Sequence, residues 1–282
     1  MLHSAVLLID CPDRKGLVAT VSGLLYRHGA NILHADQHQD HEGGLFFMRV
    51  EWAADGFDLP AFRAEFEPVA LEMRMRWRIA APTRRPRMAV FASQHLHCLA
   101  DLLHRHRSGE LPCEIPVVIS NHEQAEPLAR FHGIEFHHTP VAPDTKGAVE
   151  AEQLRLLREH EIDLVVLARY MQILSPRLVA EFPERIVNVH HSFLPAFVGA
   201  RPYHAAFARG VKLIGATSHY VTETLDEGPI IEQDVTRVSH RDQVEDLIMK
   251  GRDLERLVLS RAVKWHLKNR ILCYGNKTVV FD

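Results

Sequence analysis

The chain has 282 residues, and its 33 Lys and Arg against 36 Asp and Glu leave a formal charge of -3. At roughly 150 residues per domain that length suggests two domains, and the near-neutral balance excludes a dedicated nucleic-acid binder, whose surface is net basic. No apolar run approaches the roughly 20 residues of a membrane span, and the N-terminal MLHSAVLLID lacks the basic segment that opens a signal peptide.

In chain order, Ser4–Asp10 is an apolar run of strand length. The turn CPDRKG follows, and Leu17, Val18, Val21, Leu24 and Leu25 then recur on one face of a helix that Gly29 ends. Residues 31–39 and 45–52 flank a DHEGG turn as a hairpin. Pro60–Glu72 has a helical pattern, and Met73–Ile79 alternates Met, Arg, Met, Arg, Trp, Arg with the period of a half-buried strand. The order βαββαβ is ferredoxin-like. The stretch AAPTRRPR holds prolines and arginines without hydrophobic period and reads as a surface linker. The expected division is therefore residues 1–80, a linker over 81–87, and a second domain over 88–282.

In that second domain, apolar runs at Arg87–Ser93, Ile115–Ser120, Glu135–Thr139, Leu164–Leu167 and Arg185–Val189 alternate with helical stretches. The helices fall at Leu96–His106, Glu123–His132 and Ala148–His160. Such alternation predicts a Rossmann-like, mostly parallel α/β sheet covered on both faces. After Gly210, two longer strands, Lys212–Thr222 and Pro229–Val238, flank a TETLDEG turn. A long helix over His240–Asn269 and a short terminal strand close the chain.

In open α/β sheets, ligands bind outside the carboxyl ends of the strands. The strand Arg185–Val189 runs into Asn188-Val189-His190-His191-Ser192-Phe193-Leu194-Pro195. A hydrolytic or acyl-transfer site needs oxyanion donors, a proton carrier and a base or water-positioner. Asn188 and His190 offer the first two. Asp226, before Gly228-Pro229, offers the third if its hairpin folds over the same edge. Each residue type also serves as an ordinary cap or turn former, so an active site and a capped strand end both remain open at this level. The chain has 20 histidines, an excess that suggests imidazole chemistry or simply a His-rich composition. His95, His97 and Cys98 superficially suggest a metal, but no second ligand set follows at metal spacing, so none is expected. The four scattered cysteines fit free thiols in a reducing cytosol, and a cytoplasmic protein is expected.

The string NVHHSFLPAF, followed by GATSHYVTETLDEGPII, resembles the formyltransferase family that handles 10-formyltetrahydrofolate. That family carries Asn-x-His, a later histidine and Asp-x-Gly-Pro, matched here by Asn188 and His190, His219, and Asp226. The resemblance spans Pro86–Asp282. His191 stands where the amine-directed transferases carry proline, and Ala92–Leu99 has no glycine where they place a phosphate-cradling loop. The resemblance thus implies the hydrolytic branch, with 10-formyltetrahydrofolate as substrate, water as acceptor and no tightly bound cofactor. The formate released would feed purine synthesis and balance the one-carbon pool. Transfer to an amine such as glycinamide ribonucleotide is the alternative, and a non-catalytic amino-acid or folate sensor is a third reading.

The same resemblance implies roles. Asn188 and protonated His190 stabilise the oxyanion. Asp226 orients and deprotonates the water and then passes the proton to N10, with burial raising its pKa and a cationic His190 lowering it. Arg169, Tyr170, Met171, Ile173 and Leu174 match the segment that encloses the pterin, and Thr222 and Leu225 complete the pocket. Arg201, in a loop over residues 199–203, is placed to meet the folate's glutamate tail. His191, His219 and His97 are supporting residues.

The first domain, through DRKGLVATVSGLLYRHGANI and its order of elements, resembles an ACT regulatory module. That implies edge-to-edge pairing into a homo-oligomer, dimer or tetramer. It also implies a small amino-acid effector, such as glycine or methionine, at Asp13, Lys15, Gly16 and Leu17, because helix N-termini attract carboxylates.

Overall fold

Strand β1 (Ser4–Pro12) is buried over five consecutive residues, Ala5–Ile9, which a strand with one wet face cannot be. Both of its faces are covered. Ala5, Leu7 and Ile9 pack against helices α1 (Leu17–Arg27) and α2 (Leu59–Glu72), together with Phe62 and Phe66. Val6 and Leu8 meet Phe47, Leu272 and Phe281 on the opposite face. The computed structural model describes residues 4–81, 84–196 and 202–282. They form two units, one of residues up to Arg84 with 269–274 and 279–282, the other of Arg85–Lys268 with 275–278.

The first unit has the βαββαβ order read from the sequence. Its antiparallel sheet runs β2 (Ile32–Asp40), β3 (Leu45–Ala53), β1, β4 (Arg76–Ala80). The alternation along β4 divides two jobs. Trp77 and Ile79 pack towards the helices, while Arg76 and Arg78 donate to the carbonyls of Cys273 and Ile271 at 2.7 and 3.0 Å. Arg49 likewise donates to the Asn269 carbonyl at 3.0 Å. Residues 269–274 and 279–282, which the sequence assigns to the second domain, thus belong to the first unit, because the sheet's second face needs a cover. They hold parts of two strands, β12 (Ile271–Tyr274) and β13 (Lys277–Val280), where one was expected. Val18, counted with the apolar face of α1, is exposed.

The second unit carries a seven-stranded sheet. In chain order its strands are β5 (Arg87–Ala92), β6 (Glu114–Ser120), β7 (Glu135–His138), β8 (Leu164–Ala168), β9 (Ile186–His190), β10 (Leu213–Tyr220) and β11 (Ile230–Arg237). Their spatial order is β11-β10-β9-β8-β5-β6-β7. The five strands from β9 to β7 are parallel, and β10 and β11 add antiparallel neighbours. The chain steps outward from β5 through β6 to β7 and returns to β8 on the other side of β5. The crevice at that switch point, between the carboxyl ends of β5 and β8, is where such sheets receive ligands.

Helices α3 (His97–Arg107), α4 (Glu126–Phe131) and α5 (Lys146–Glu159) fall where the sequence predicts them. Helices α6 (Pro176–Glu181) and α7 (Pro202–Arg209) were not legible: each starts on proline and is too short to show a period. The long α8 (Val244–Leu267) buries Leu247, Leu254, Val258 and Leu259. Its Gly251 leaves room for Tyr203 of α7, since a Cβ there would stand 2.0 Å from the tyrosine hydroxyl. All four cysteines are buried. Among the described residues, no helix is long and apolar enough to cross a membrane.

Candidate active site

The pleat of β9 sends Asn188 and His190 to one face. In antiparallel β10, His219 stands opposite Asn188, and Thr217 opposite His190, so the four side chains are cross-strand neighbours. Thr217 fixes the segment beyond β9. Its hydroxyl accepts from the Leu194 N–H at 3.0 Å and from Gln233 at 2.9 Å, and donates to the Ser192 carbonyl at 2.8 Å. The β10–β11 ladder shifts register between Ser218 and His219, a bulge of the kind that re-aims a side chain beside a site.

Asp226 reaches this face by a fold-back. The loop after β10 begins with the Val221 N–H donating to the Ile186 carbonyl, at the amino end of β9. It then returns along the strand, so that Asp226 lies 3.2 Å from His190 Nδ1 and 3.6 Å from His219 Nε2. Asp226 has φ +56°, a left-handed conformation rare for non-glycine residues and one that clusters at functional sites. Gly228 completes the loop where a Cβ would stand 1.8 Å from the Tyr220 carbonyl oxygen. His219 Nδ1 donates to that carbonyl at 2.9 Å, which leaves Nε2 to accept from Asn188 Nδ2 at 3.2 Å.

The hydrogen bond from His190 is the largest influence on the Asp226 carboxyl and holds it well below the usual carboxylate range, against the opposing effect of burial. Of the two influences weighed from sequence, the histidine wins, and Asp226 is an anion. Burial, then the Arg169 charge, pushes His191 down to about 4, so its imidazole is neutral at neutral pH. His190 Nε2 is buried without a hydrogen-bond partner among the described residues. A nitrogen in that condition is a place for a group that arrives with the substrate.

A cavity of about 370 Å³ opens on this face and is lined by Asn188, His190, His191, His219 and Asp226. Arg169, Tyr170, Met171, Ile173 and Leu174 form one wall, and Thr222 and Leu225 belong to another. Met171, Ile173 and Leu225 are each more than half exposed. Large apolar side chains so placed give the walls a flat heterocycle needs. Tyr170 is a support: its ring packs edge-on against Phe91, and its hydroxyl accepts from Gln153 at 2.8 Å.

Two expected residues are elsewhere. His97 lines a separate cavity of about 210 Å³, which shares only Arg169 and His191 with the first. Arg201 lies outside the described residues, and Pro202 and Tyr203, expected in a loop with it, open α7. Glu255 was missed. It is 1% exposed, takes the Tyr203 hydroxyl at 2.7 Å, and pairs with His97 Nε2 at 2.7 Å. Its signal was an acidic residue between Leu254 and Val258, on the apolar face of α8. His97, Cys98 and Glu255 place three potential metal-ligand atoms within 4.8 Å of one another, a set that becomes visible only with Glu255.

In the first unit, a cavity of about 500 Å³ is lined by Asp13, Gly16 and Leu17, joined by Gln37, His38 and Phe46. Lys15, proposed beside them, lies outside its lining.

Residues 86–263 match the family model described as Formyl transferase, and residues 5–56 match that of the ACT domain. The chain is 54% identical over 280 residues to a formyltetrahydrofolate deformylase of Synechocystis sp., covering 99% of this chain and 98% of that one. The crystal structure of a formyltetrahydrofolate deformylase from Pseudomonas syringae pv. tomato aligns with a TM-score of 0.95 at 53% identity, over 99% of this chain and 94% of that chain. A glycinamide ribonucleotide transformylase from Symbiobacterium toebii aligns over 71% of this chain and 96% of its own, with a TM-score of 0.66 and 33% identity.

Proposed function

The chain belongs to the formyltetrahydrofolate deformylases, and we propose that it hydrolyses 10-formyltetrahydrofolate to formate and tetrahydrofolate at the Asn188–His190–Asp226 site. The observation that carries this reading is the Asp226 carboxylate 3.2 Å from His190 Nδ1, with Asn188 beside them in the lining of one apolar-walled cavity.

Asp226 holds the attacking water as an acceptor, and the water oxygen bonds to the formyl carbon. Asn188 and the free Nε2 of His190 donate to the oxygen that becomes negative. Since Nδ1 donates to Asp226, donation from Nε2 uses the imidazolium form, whose charge the carboxylate balances. As the oxyanion develops, it takes a share of that positive charge, the hold on Asp226 loosens, and the carboxylate becomes basic enough to accept the water proton. That proton passes to N10, the C–N10 bond breaks, and the formic acid left loses its remaining acidic proton to give formate. His191, neutral beside His190, and His219, bonded to Asn188, are positioning residues. The segment 169–174 with Thr222 and Leu225 encloses the pterin.

We further propose that the enzyme works without a tightly bound cofactor or metal. In support, the His97 and Glu255 atoms are already bonded to each other, and burial holds the Cys98 thiol protonated. The first domain, residues 1–80, is the regulatory part. Its exposed edge strand β2 suits pairing with a second copy into a dimer or tetramer. Glycine or methionine is its effector, seated by Asp13, Gly16 and Leu17. The setting is the cytoplasm, where the formate feeds purine synthesis.

Incubation of the enzyme with 10-formyltetrahydrofolate and no amine is the test. Formate and tetrahydrofolate are expected in equal amounts. Tetrahydrofolate that appears only after an amine is added would indicate a transferase.

A further inference from the structure

We infer that the 210 Å³ cavity at the β5–β8 switch point is a binding site for a small carboxylate, and that its ligand is the formate released by hydrolysis. The identity of the ligand rests on the hydrolytic reading above; the carboxylate chemistry rests on the cavity itself.

The position is the first argument. His95 and His97 follow β5, and Arg169 follows β8 directly, so the cavity lies outside the carboxyl ends of the two strands where the chain direction reverses. Arg169 is the second. It is 8% exposed, yet its Nε and Nη1 are buried without hydrogen-bond partners among the described residues. Its nearest acid does not supply them. Glu255 Oε1 is 3.4 Å from Nη1 and already accepts from the Tyr203 hydroxyl, and the other carboxylate oxygen is paired with His97. A buried guanidinium with unused N–H groups costs free energy until oxygens of an anion meet them.

Charge is the third. Arg169, Arg252 and Glu255 line the cavity together, and burial, then Arg169 itself, lowers the pKa of His95. With His191 also neutral, the guanidinium groups outnumber the carboxylate by one. The fourth is continuity with the chemistry. Arg169 and His191 line both cavities, and the His191 ring lies 5.1 Å from that of His190. A carboxylate formed at His190 is therefore one side chain from Arg169. It has its own compartment while tetrahydrofolate fills the other.

Carbon-13 formate titrated into the folate-free enzyme, followed by NMR, tests this. Saturable binding is expected. Arg169→Met should weaken it by about tenfold or more, the loss of a charge-assisted hydrogen bond. Arg252→Met, at the exposed rim, should weaken it by about threefold and carries the test if Arg169→Met does not fold. Asp226→Asn should bind formate as the wild type does while turning over little folate. No saturable binding by the wild type, or equal affinity in the folded arginine variants, would overturn the site. If the wild type binds formate in this arginine-dependent way but releases none from 10-formyltetrahydrofolate, the carboxylate site stands and the hydrolytic reading falls.

Discussion

In the proposed reaction Asp226 enters as an anion, because the His190 hydrogen bond holds it so and its ionisation lies below the working pH range. An acid limb in the pH–rate profile above pH 5 must then come from another group, and the carboxylate's own contribution to stability is full at neutral pH and lost progressively as pH falls below about 5. Folded, His191 titrates at about 4; unfolded, at about 6.5. Between those values the unfolded chain binds the extra proton, so stability falls as pH drops. From pH 7 to pH 5 this amounts to about 2 kcal/mol. Urea unfolding of His191→Asn at the two pH values should show a pH-dependent loss smaller by about that amount. An unchanged difference would mean that His191 is not the group responsible. Asn188→Ala removes one oxyanion donor and should lower kcat by about 10²–10³-fold with little change in KM; equal losses in binding and turnover would make Asn188 a structural residue. Asn188 and His190 stood out because unusual residue types coincide at one strand end, and Asp226 through the Asp-x-Gly-Pro motif of the family the sequence resembles; the fold-back that brings the three together carries no local sequence signal. Glu255 was not legible, since burial of its charge is decided by a tyrosine on another helix and by the glycine that admits it.

At the scale of elements, Gly251 and Thr217 carry the packing that holds the two cavities in place. Replacing an interior helical glycine by alanine ordinarily stabilises by about 1 kcal/mol. Here the new Cβ would meet Tyr203, so Gly251→Ala should destabilise by about 1–3 kcal/mol through overpacking. A rise in melting temperature would contradict the close fit of α7 on α8. Strands were the most legible elements, because buried parallel strands are continuous apolar runs. The two short helices were silent for want of length. The terminal segment was assigned to the wrong unit for a specific reason. The backbone carbonyls that Arg76 and Arg78 hold carry no sequence signal, and only the unbroken burial of β1 hinted that its sheet has two covered faces.

For the whole molecule, the proposed reading places regulation in the small antiparallel unit and chemistry in the larger, mostly parallel one. If the cavity by Asp13 and Leu17 holds an amino acid, calorimetric titration with glycine, methionine and serine should give saturable heat with at least one. Heat from none would leave the first unit as an interface alone. The proposed hydrolysis itself turns on one carboxylate. The measurement that bears on it most directly compares formate release and folate affinity in Asp226→Asn and the wild type. Turnover should fall by several orders of magnitude, of the size seen when an essential acid–base group is lost, while tetrahydrofolate binds nearly as before. Turnover retained in that variant would contradict the assignment of Asp226.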